Sequence, residues 1–265
     1  MSSTSTWDPG QYNRFAAERE QPFWDLAALL EPVPAPKVVD LGCGDGRLTA
    51  ALHRKLGAAV TTGVDSSPAM LAAAGAHAGD GVAFSEADIS TWTGRDPDPS
   101  GAGPDIDIVF SNAALQWVPD HADVLERWAA ALRPGGQLAV QMPTNADHPS
   151  HRVARALAAD WLGNRAPADP VEHNVLVPEA YAALLHDLGF ERQHVRLQVY
   201  GHVLASTADV VEWVKGTSLT RFKDVLGADY ESFVDEYRRR LVADLGDARP
   251  YFYAFKRILL WGRRG

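Results

Sequence analysis

An α/β fold, a parallel sheet with helices on both faces, is predicted by three observations. Short β-branched runs alternate with helical stretches through residues 37–145. A run of three glycines follows the first strand directly. The chain has 265 residues with 46% hydrophobic and 22% charged side chains, enough apolar material for one well-filled core. Strand–helix alternation of this kind gives parallel sheets covered on both sides.

Lys37 to Leu41 is the first strand, approached through Pro32, Pro34 and Pro36. Arg47 to Leu56 reads as a helix. Ala59 to Val64 is a strand ending at Asp65. Pro68 to Ala78 is alanine-rich and helical, with Ser66 or Ser67 as N-cap and Pro68 in the first turn. Val82 to Glu86 and Ile106 to Phe110 are the next strands. Between them, Gly94 to Asp105 is a Gly/Pro/Asp-rich surface connection. Ala122 to Leu132 is a helix that stops at Arg133-Pro134-Gly135-Gly136, and Leu138 to Met142 is the fifth strand.

From about Asp147 helices dominate. They are Ser150 to Leu162, Pro178 to Leu188, Ala208 to Lys215 and Asp229 to Leu245. Gln193 to Val203 and Phe252 to Trp261 read as two further strands. This half is expected to raise a helical cap over the sheet within one integrated domain.

Composition excludes several function classes. With 25 Lys plus Arg against 34 Asp plus Glu, the net charge is −9. A nucleic-acid binder needs a basic footprint, and Arg238-Arg239-Arg240 is the longest basic run. Cys43 is the single cysteine, so neither an internal disulfide nor a cysteine-based zinc site is expected. No H-x-x-x-H pair occurs, and no metal is expected. No leader-like start and no apolar stretch of ~18 residues is read. A cytoplasmic protein without membrane or nucleic-acid partners, monomer or homodimer, is the expectation.

The strongest chemical signal is Val38-Val39-Asp40-Leu41-Gly42-Cys43-Gly44-Asp45-Gly46. Glycine permits positive φ and close approach of a ligand to the main chain. A dinucleotide fingerprint spaces its glycines G-x-G-x-x-G; here the third comes one residue early. Asp40 before the turn would repel a pyrophosphate and suit an ammonium group. Asp65 ends the second strand about 20 residues past the glycines, where a carboxylate accepts both ribose hydroxyls. In Glu86-Ala87-Asp88-Ile89, Asp88 can accept from an adenine amino group. Ile89 and Met70 can cover the two ring faces.

This combination resembles the class I S-adenosylmethionine-dependent methyltransferases over about residues 37–145. The resemblance implies a Rossmann-like seven-stranded, mostly parallel sheet whose last strand is antiparallel. It implies S-adenosylmethionine as cofactor and S-adenosylhomocysteine as product. The Gly42, Gly44 and Gly46 loop would hold the methionine part, Asp65 the ribose, and Asp88 with Ile89 the adenine, with Ser66 a further cofactor-binding residue.

A narrower resemblance rests on Ser111-Asn112-Ala113-Ala114-Leu115-Gln116-Trp117-Val118-Pro119-Asp120-His121, on Leu138-Ala139-Val140-Gln141-Met142-Pro143, and on Pro149-Ser150-His151. Trp7-Asp8-Pro9, Tyr12, Phe15, Glu18-Arg19 and Glu212-Trp213-Val214-Lys215-Gly216-Thr217 belong to the same set. It looks like the trans-aconitate methyltransferase family. The resemblance implies methyl transfer to a carboxylate of a small polyacid, giving a monomethyl ester. It implies N-terminal lid helices (1–36) in which Tyr12, Phe15 and Arg19 fold over the cofactor. It also implies a cofactor-binding core (37–145, with Asn112), cap helices with one inserted strand (146–250) and a final antiparallel strand (251–265). Gln116 and Trp117 would flank the transfer site.

A carboxylate acceptor is ionised at neutral pH, its pKa lying near ~4, and needs no base. It needs cations and donors for its other carboxylates. Arg19, Lys215 and Arg221 are candidates, with Tyr200, Thr217 and Gln141 as polar partners. A phenol or carbon acceptor would instead need a base, as in a natural-product O- or C-methyltransferase. His151 and His173 are candidates for it among nine histidines that include His121, His148 and His202.

Overall fold

The computed structural model describes residues 16–94 and 105–265, with the side chains of 16–19 left undescribed. Most of the Gly94 to Asp105 connection therefore lies outside the described residues, as does Tyr12.

The elements in chain order begin with helix α1 (Ala16–Ala27). There follow β1 (Lys37–Leu41), α2 (Arg47–Leu56), β2 (Val60–Asp65), α3 (Pro68–Ala74), β3 (Val82–Glu86) and β4 (Ile106–Asn112). Next come α4 (His121–Ala130), β5 (Leu132–Pro143), α5 (Pro149–Leu162), α6 (Pro170–Asn174), α7 (Pro178–Asp187) and β6 (Phe190–Leu204). The chain closes with α8 (Asp209–Lys215), α9 (Lys223–Leu226), α10 (Tyr230–Leu245) and β7 (Tyr251–Arg264).

Seven strands form one sheet in the order β3-β2-β1-β4-β5-β7-β6. β1 pairs parallel with β2 and β4, β2 with β3, and β4 with β5. β7 runs antiparallel to β5, with Val140 opposite Leu260. The chain steps outward from β1 to β3, then returns to the other side of β1 at β4. Right-handed crossovers on the two sides of that reversal put helices on opposite faces.

Local chemistry explains the boundaries. Ser67, not Ser66, caps α3, accepting from the Met70 amide at 3.3 Å. The helix gives way to a 3₁₀ turn at Gly75–His77, earlier than the alanine run suggests, because glycine weakens a helix interior. β5 begins at Leu132, not Leu138. Arg133-Pro134-Gly135-Gly136 does not stop the chain but bulges it: the register jumps from Ile106↔Leu132 to Ile108↔Gln137. Gly135 takes φ 76° there, a conformation open to glycine at little cost.

The described residues fall into two compact units. The sheet unit comprises Pro22–Pro143, Asn174–Gln198 and Arg257–Gly265. Its core joins Val39, Leu41, Val109, Leu125, Trp128, Leu138, Val140, Tyr181 and Ile258. The helical unit comprises Thr144–His173 and Val199–Lys256 together with residues 16–21. Leu157, Trp213, Phe222, Phe233, Tyr237 and Tyr253 fill its core. The 174–198 stretch, with α7 and the first half of β6, thus belongs with the sheet. Among the described residues no helix is long and apolar enough to cross a membrane.

Candidate active site

The strand order reverses beside β1, so the loops after β1 and β4 flank the crevice where open α/β sheets take ligands. Gly42, Gly44 and Gly46 all have positive φ (81°, 58° and 72°). A Cβ on Gly42 would lie 2.2 Å from the Ala114 Cβ, and one on Gly46 2.5 Å from the Phe84 Cζ. A Cβ on Gly44 would meet nothing within 4 Å. Two of the three glycines therefore serve packing, and Gly44 carries bare backbone facing open space.

Asp65 at the end of β2 is half-buried. Its Oδ2 accepts from the Gly44 amide at 2.9 Å and its Oδ1 from the Ser67 amide at 2.9 Å. Both oxygens are thereby fixed, and each keeps acceptor capacity for a hydroxyl. Ser66 beside it is exposed, and Met70 half-buried. Asp88 is exposed and closes its own turn, accepting from the Ser90 amide at 2.8 Å. Ile89 packs on the edge of the core, and its carbonyl accepts from Trp128 Nε1 at 3.0 Å.

Asp40 is 3% exposed, and its Oδ2 accepts from Thr49 Oγ1 at 2.5 Å. Burial pushes its pKa up to about 7, with the Asp65 charge adding and the Thr49 bond subtracting. Cys43 is pushed far up by burial and by the charges of Asp40, Asp65 and Asp45. The loop therefore sits in a negative field, which disfavours a pyrophosphate and favours a cation.

Asn112 ends β4 in register with Gln141 of β5. Asn112 Oδ1, Gln116 Oε1 and Gln141 Nε2 are buried atoms without a hydrogen-bond partner. The Arg257 Nη1 donates to Gln141 Oε1 at 3.2 Å. Arginine only donates, so this contact fixes the amide and leaves Nε2 as the available donor. Gln116 is 4% exposed, with its Nε2 on the Ala113 carbonyl at 2.7 Å, whereas Trp117 is 42% exposed. An open Gly44 cradle, a two-oxygen carboxylate and orphaned amides in an acidic field fit a cationic cofactor that carries an ammonium group and a ribose. Among the described residues no group of three metal-ligating side chains exists.

The remaining predicted residues lie in the helical unit. The His151, Asp169 and Arg221 side chains form a buried charged cluster there, with the partly exposed Arg155 at its edge. Asp169 Oδ2 lies 2.7 Å from His151 Nδ1, 3.3 Å from an Arg221 Nη and 3.7 Å from an Arg155 Nη. Burial alone would raise the Asp169 carboxyl. The His151 hydrogen bond and the His151 and Arg221 charges prevail and bring it down to about 2. Burial lowers Arg221, whose guanidinium also stacks over Phe222 at 4.5 Å.

Other candidates are occupied differently. Lys215 pairs with Glu231 at 3.0 Å. Thr217 Oγ1 bonds back to the Trp213 and Val214 carbonyls at 3.4 Å each. Tyr200 is buried, and His173 is exposed. Arg19 is described only as backbone within α1. Asp169 and Arg155 were absent from the sequence-derived set. One signal for Arg155 was available: it stands four residues from His151 on one helix face.

Comparison with known proteins shows the family. A methyltransferase-domain family model matches residues 12–195. The chain is 42% identical to the trans-aconitate 2-methyltransferase of Deinococcus radiodurans, covering 98% of both chains. It is 39% identical to that of Streptomyces coelicolor, over 99% of this chain and 88% of the relative. Among solved structures it resembles the YcgJ protein from Bacillus subtilis at 15% identity, with a TM-score of 0.60 over 92% of this chain and 98% of that one; this likeness concerns the fold alone. The chain is a methyltransferase and belongs to the trans-aconitate 2-methyltransferase family.

Proposed function

We propose that the protein transfers a methyl group from S-adenosylmethionine to a carboxylate of trans-aconitate, giving a methyl ester and S-adenosylhomocysteine. The observation that carries this reading is the near-full-length identity of 42% to a trans-aconitate 2-methyltransferase. The positive-φ glycine loop, tied to Asp65 through the Gly44 amide, supports it.

S-adenosylmethionine, when bound, supplies a methyl already activated on a sulfonium, so an ionised carboxylate can take it without a base. The chain's own task is to bind, orient and exclude water. Asp65 offers its two fixed oxygens to the ribose hydroxyls. The bare Gly44 backbone admits the methionine part, and Asp40 supplies the counter-charge for its ammonium. Asp88 and Ile89 take the adenine, with Met70 on the opposite ring face. Gln141 Nε2, held by Arg257, donates to an acceptor oxygen, and Gln116 and Trp117 flank the transfer site.

Formation of S-adenosylhomocysteine with trans-aconitate, and an alkali-labile product, would be the expected outcome in a panel of small polycarboxylates. Cofactor binding without turnover of any acid would overturn the acceptor assignment.

One observation favours a second reading. His151 is oriented by a buried carboxylate at 2.7 Å, the arrangement that orients a general base. A natural-product O- or C-methyltransferase would use such a base, and its rate would fall as the base protonates at low pH.

A further inference from the structure

Two buried glutamines of the sheet unit are left with free atoms of opposite character. Gln141 is fully buried, and its Oε1 accepts from Arg257, so its atom without a partner is the donor Nε2. Gln116 is 4% exposed, and its Nε2 lies 2.7 Å from the Ala113 carbonyl. A carbonyl only accepts, so the amide is fixed in that sense, and its free atom is the acceptor Oε1. Asn112, in register with Gln141, adds Oδ1 as a second buried acceptor without a partner among the described residues.

The turn that carries Gln116 is held from several sides. The Ala113 amide donates to the Gln141 carbonyl at 2.9 Å, and the Ala113 carbonyl takes the Gln116 amide. Between these two bonds Ala113 has φ 56°, the left-handed region that alanine enters only at an energetic cost. Ala114 lies against Gly42, where a Cβ would not fit. The Trp117 amide donates to the Ala114 carbonyl at 3.1 Å, and Asn174 Nδ2 donates to the Gln116 carbonyl at 3.0 Å. Backbone strain is thus retained in a turn that packs on the glycine loop and holds one amide oxygen still. A buried acceptor left unsatisfied costs stability. One that is fixed before its ligand arrives needs no reorganisation when positive charge comes opposite it.

The chemistry of the free atom selects its partner. An ionised carboxylate has no hydrogen to donate and would be repelled by Gln116 Oε1; Gln141 Nε2 suits it instead. Oε1 suits a donor that carries positive charge. S-adenosylmethionine has two such groups, its ammonium and the methyl on its sulfonium, whose C–H bonds the charge polarises into weak donors. The ammonium has Asp40 as its counter-charge in the reading above, which leaves the methyl for the amide oxygens.

We infer that Gln116 Oε1, supported by Asn112 Oδ1, accepts from the sulfonium methyl of S-adenosylmethionine, so that this turn distinguishes the charged cofactor from S-adenosylhomocysteine. Ala113 is a positioning residue that acts through the Gln116 amide. The inference rests on Gln116 standing at the transfer site, as proposed above, and is independent of which acceptor takes the methyl.

Binding of the two cofactor forms without any acceptor tests it. S-adenosylmethionine and S-adenosylhomocysteine share the ammonium, ribose and adenine, and differ at the methyl and the sulfur charge. Gln116→Met is close in size and removes the acceptor. By calorimetry its Kd for S-adenosylmethionine should rise about threefold to tenfold, while that for S-adenosylhomocysteine stays within about twofold of wild type. The second value also reports folding. Equal loss for both would place the amide elsewhere on the cofactor or in the fold and would overturn the inference. Loss for neither would overturn it too.

A second measurement reads the methyl itself. S-adenosylmethionine with an isotopically labelled methyl group is bound to the wild-type protein and to Gln116→Met, and the methyl proton resonance is compared. Ring currents are common to both complexes, whereas donation to an oxygen deshields the protons. The wild-type resonance should lie downfield of the variant's, and coincident resonances would overturn the inference. Gln116→Asn, which keeps an amide but withdraws its oxygen, serves both comparisons where Gln116→Met does not fold. Passing both tests while methylating no polycarboxylate would uphold this inference and remove only the acceptor assignment.

Discussion

The Gly44 amide donates to Asp65 Oδ2 across 2.9 Å, tying the loop after β1 to the carboxyl end of β2. One carboxylate thus sets the loop and remains available to a ribose. Asp65→Ala should weaken S-adenosylhomocysteine binding by about 1–3 kcal/mol through lost hydrogen bonds. Calorimetry reads this directly, and unchanged affinity would remove Asp65 from the site.

Two of the loop glycines, Gly42 and Gly44, should respond differently to alanine. Gly42→Ala drives a Cβ to 2.2 Å from the Ala114 Cβ, and neither loop can yield without moving its strand. A loss of stability of about 1–3 kcal/mol is expected, measured by urea unfolding without ligand. Gly44→Ala meets open space and carries only the strain of its positive φ, about 1 kcal/mol. Its methyl occupies the cradle instead, so cofactor affinity should fall far more than stability. Equal behaviour of the two variants would contradict this division of roles.

Asp40 gives the loop a pH signature. Its folded pKa is raised to about 7 by burial, against an ordinary value of 3.8. Between these values the folded state holds a proton that the unfolded state has released. Stability therefore falls as pH rises from about 4 to about 7, and the lost part stays lost above that. Asp40→Asn should remove this slope and make the free protein more stable than wild type at pH about 8. A cationic cofactor favours the ionised carboxylate, so binding near pH about 6 should release a proton. Calorimetry in buffers of different ionisation enthalpy checks that release, and the variant should lack it.

Much of this was legible in the sequence, for local reasons. β1, α2 and β3 have the limits read from apolar runs and glycines, because burial and backbone freedom act within a few residues there. The start of β5 was hidden because Pro134-Gly135-Gly136 has the composition of a stop, and only pairing with β4 turns it into a bulge. The five-residue α6 was too short to show a periodic face. His151 and Arg221 were visible as chemistry-bearing residues, but Asp169 was not. It lies 18 residues from the one and 52 from the other, and only tertiary folding brings these charges together.

His121 and Tyr181 show what a buried histidine does away from the chemistry. His121 Nε2 lies 2.9 Å from the Leu115 carbonyl and Nδ1 2.6 Å from the Tyr181 hydroxyl. A carbonyl only accepts, so Nε2 carries the proton and Nδ1 accepts from the phenol. Tyr181 Oη in turn accepts from the Leu176 amide at 3.1 Å. Tyr181→Phe leaves Nδ1 and the Leu176 amide unpaired, at a cost of about 1–3 kcal/mol in urea unfolding at neutral pH. Burial lowers the His121 pKa from 6.5, so the unfolded state gains a proton first as pH falls. Wild-type stability from this group is therefore complete above about pH 6.5 and declines below it. Cofactor affinity at neutral pH should be unchanged in Tyr181→Phe, because the pair contributes to the core and touches none of the glycine-loop residues. A variant as stable as wild type would show that the phenol hydroxyl does not anchor His121.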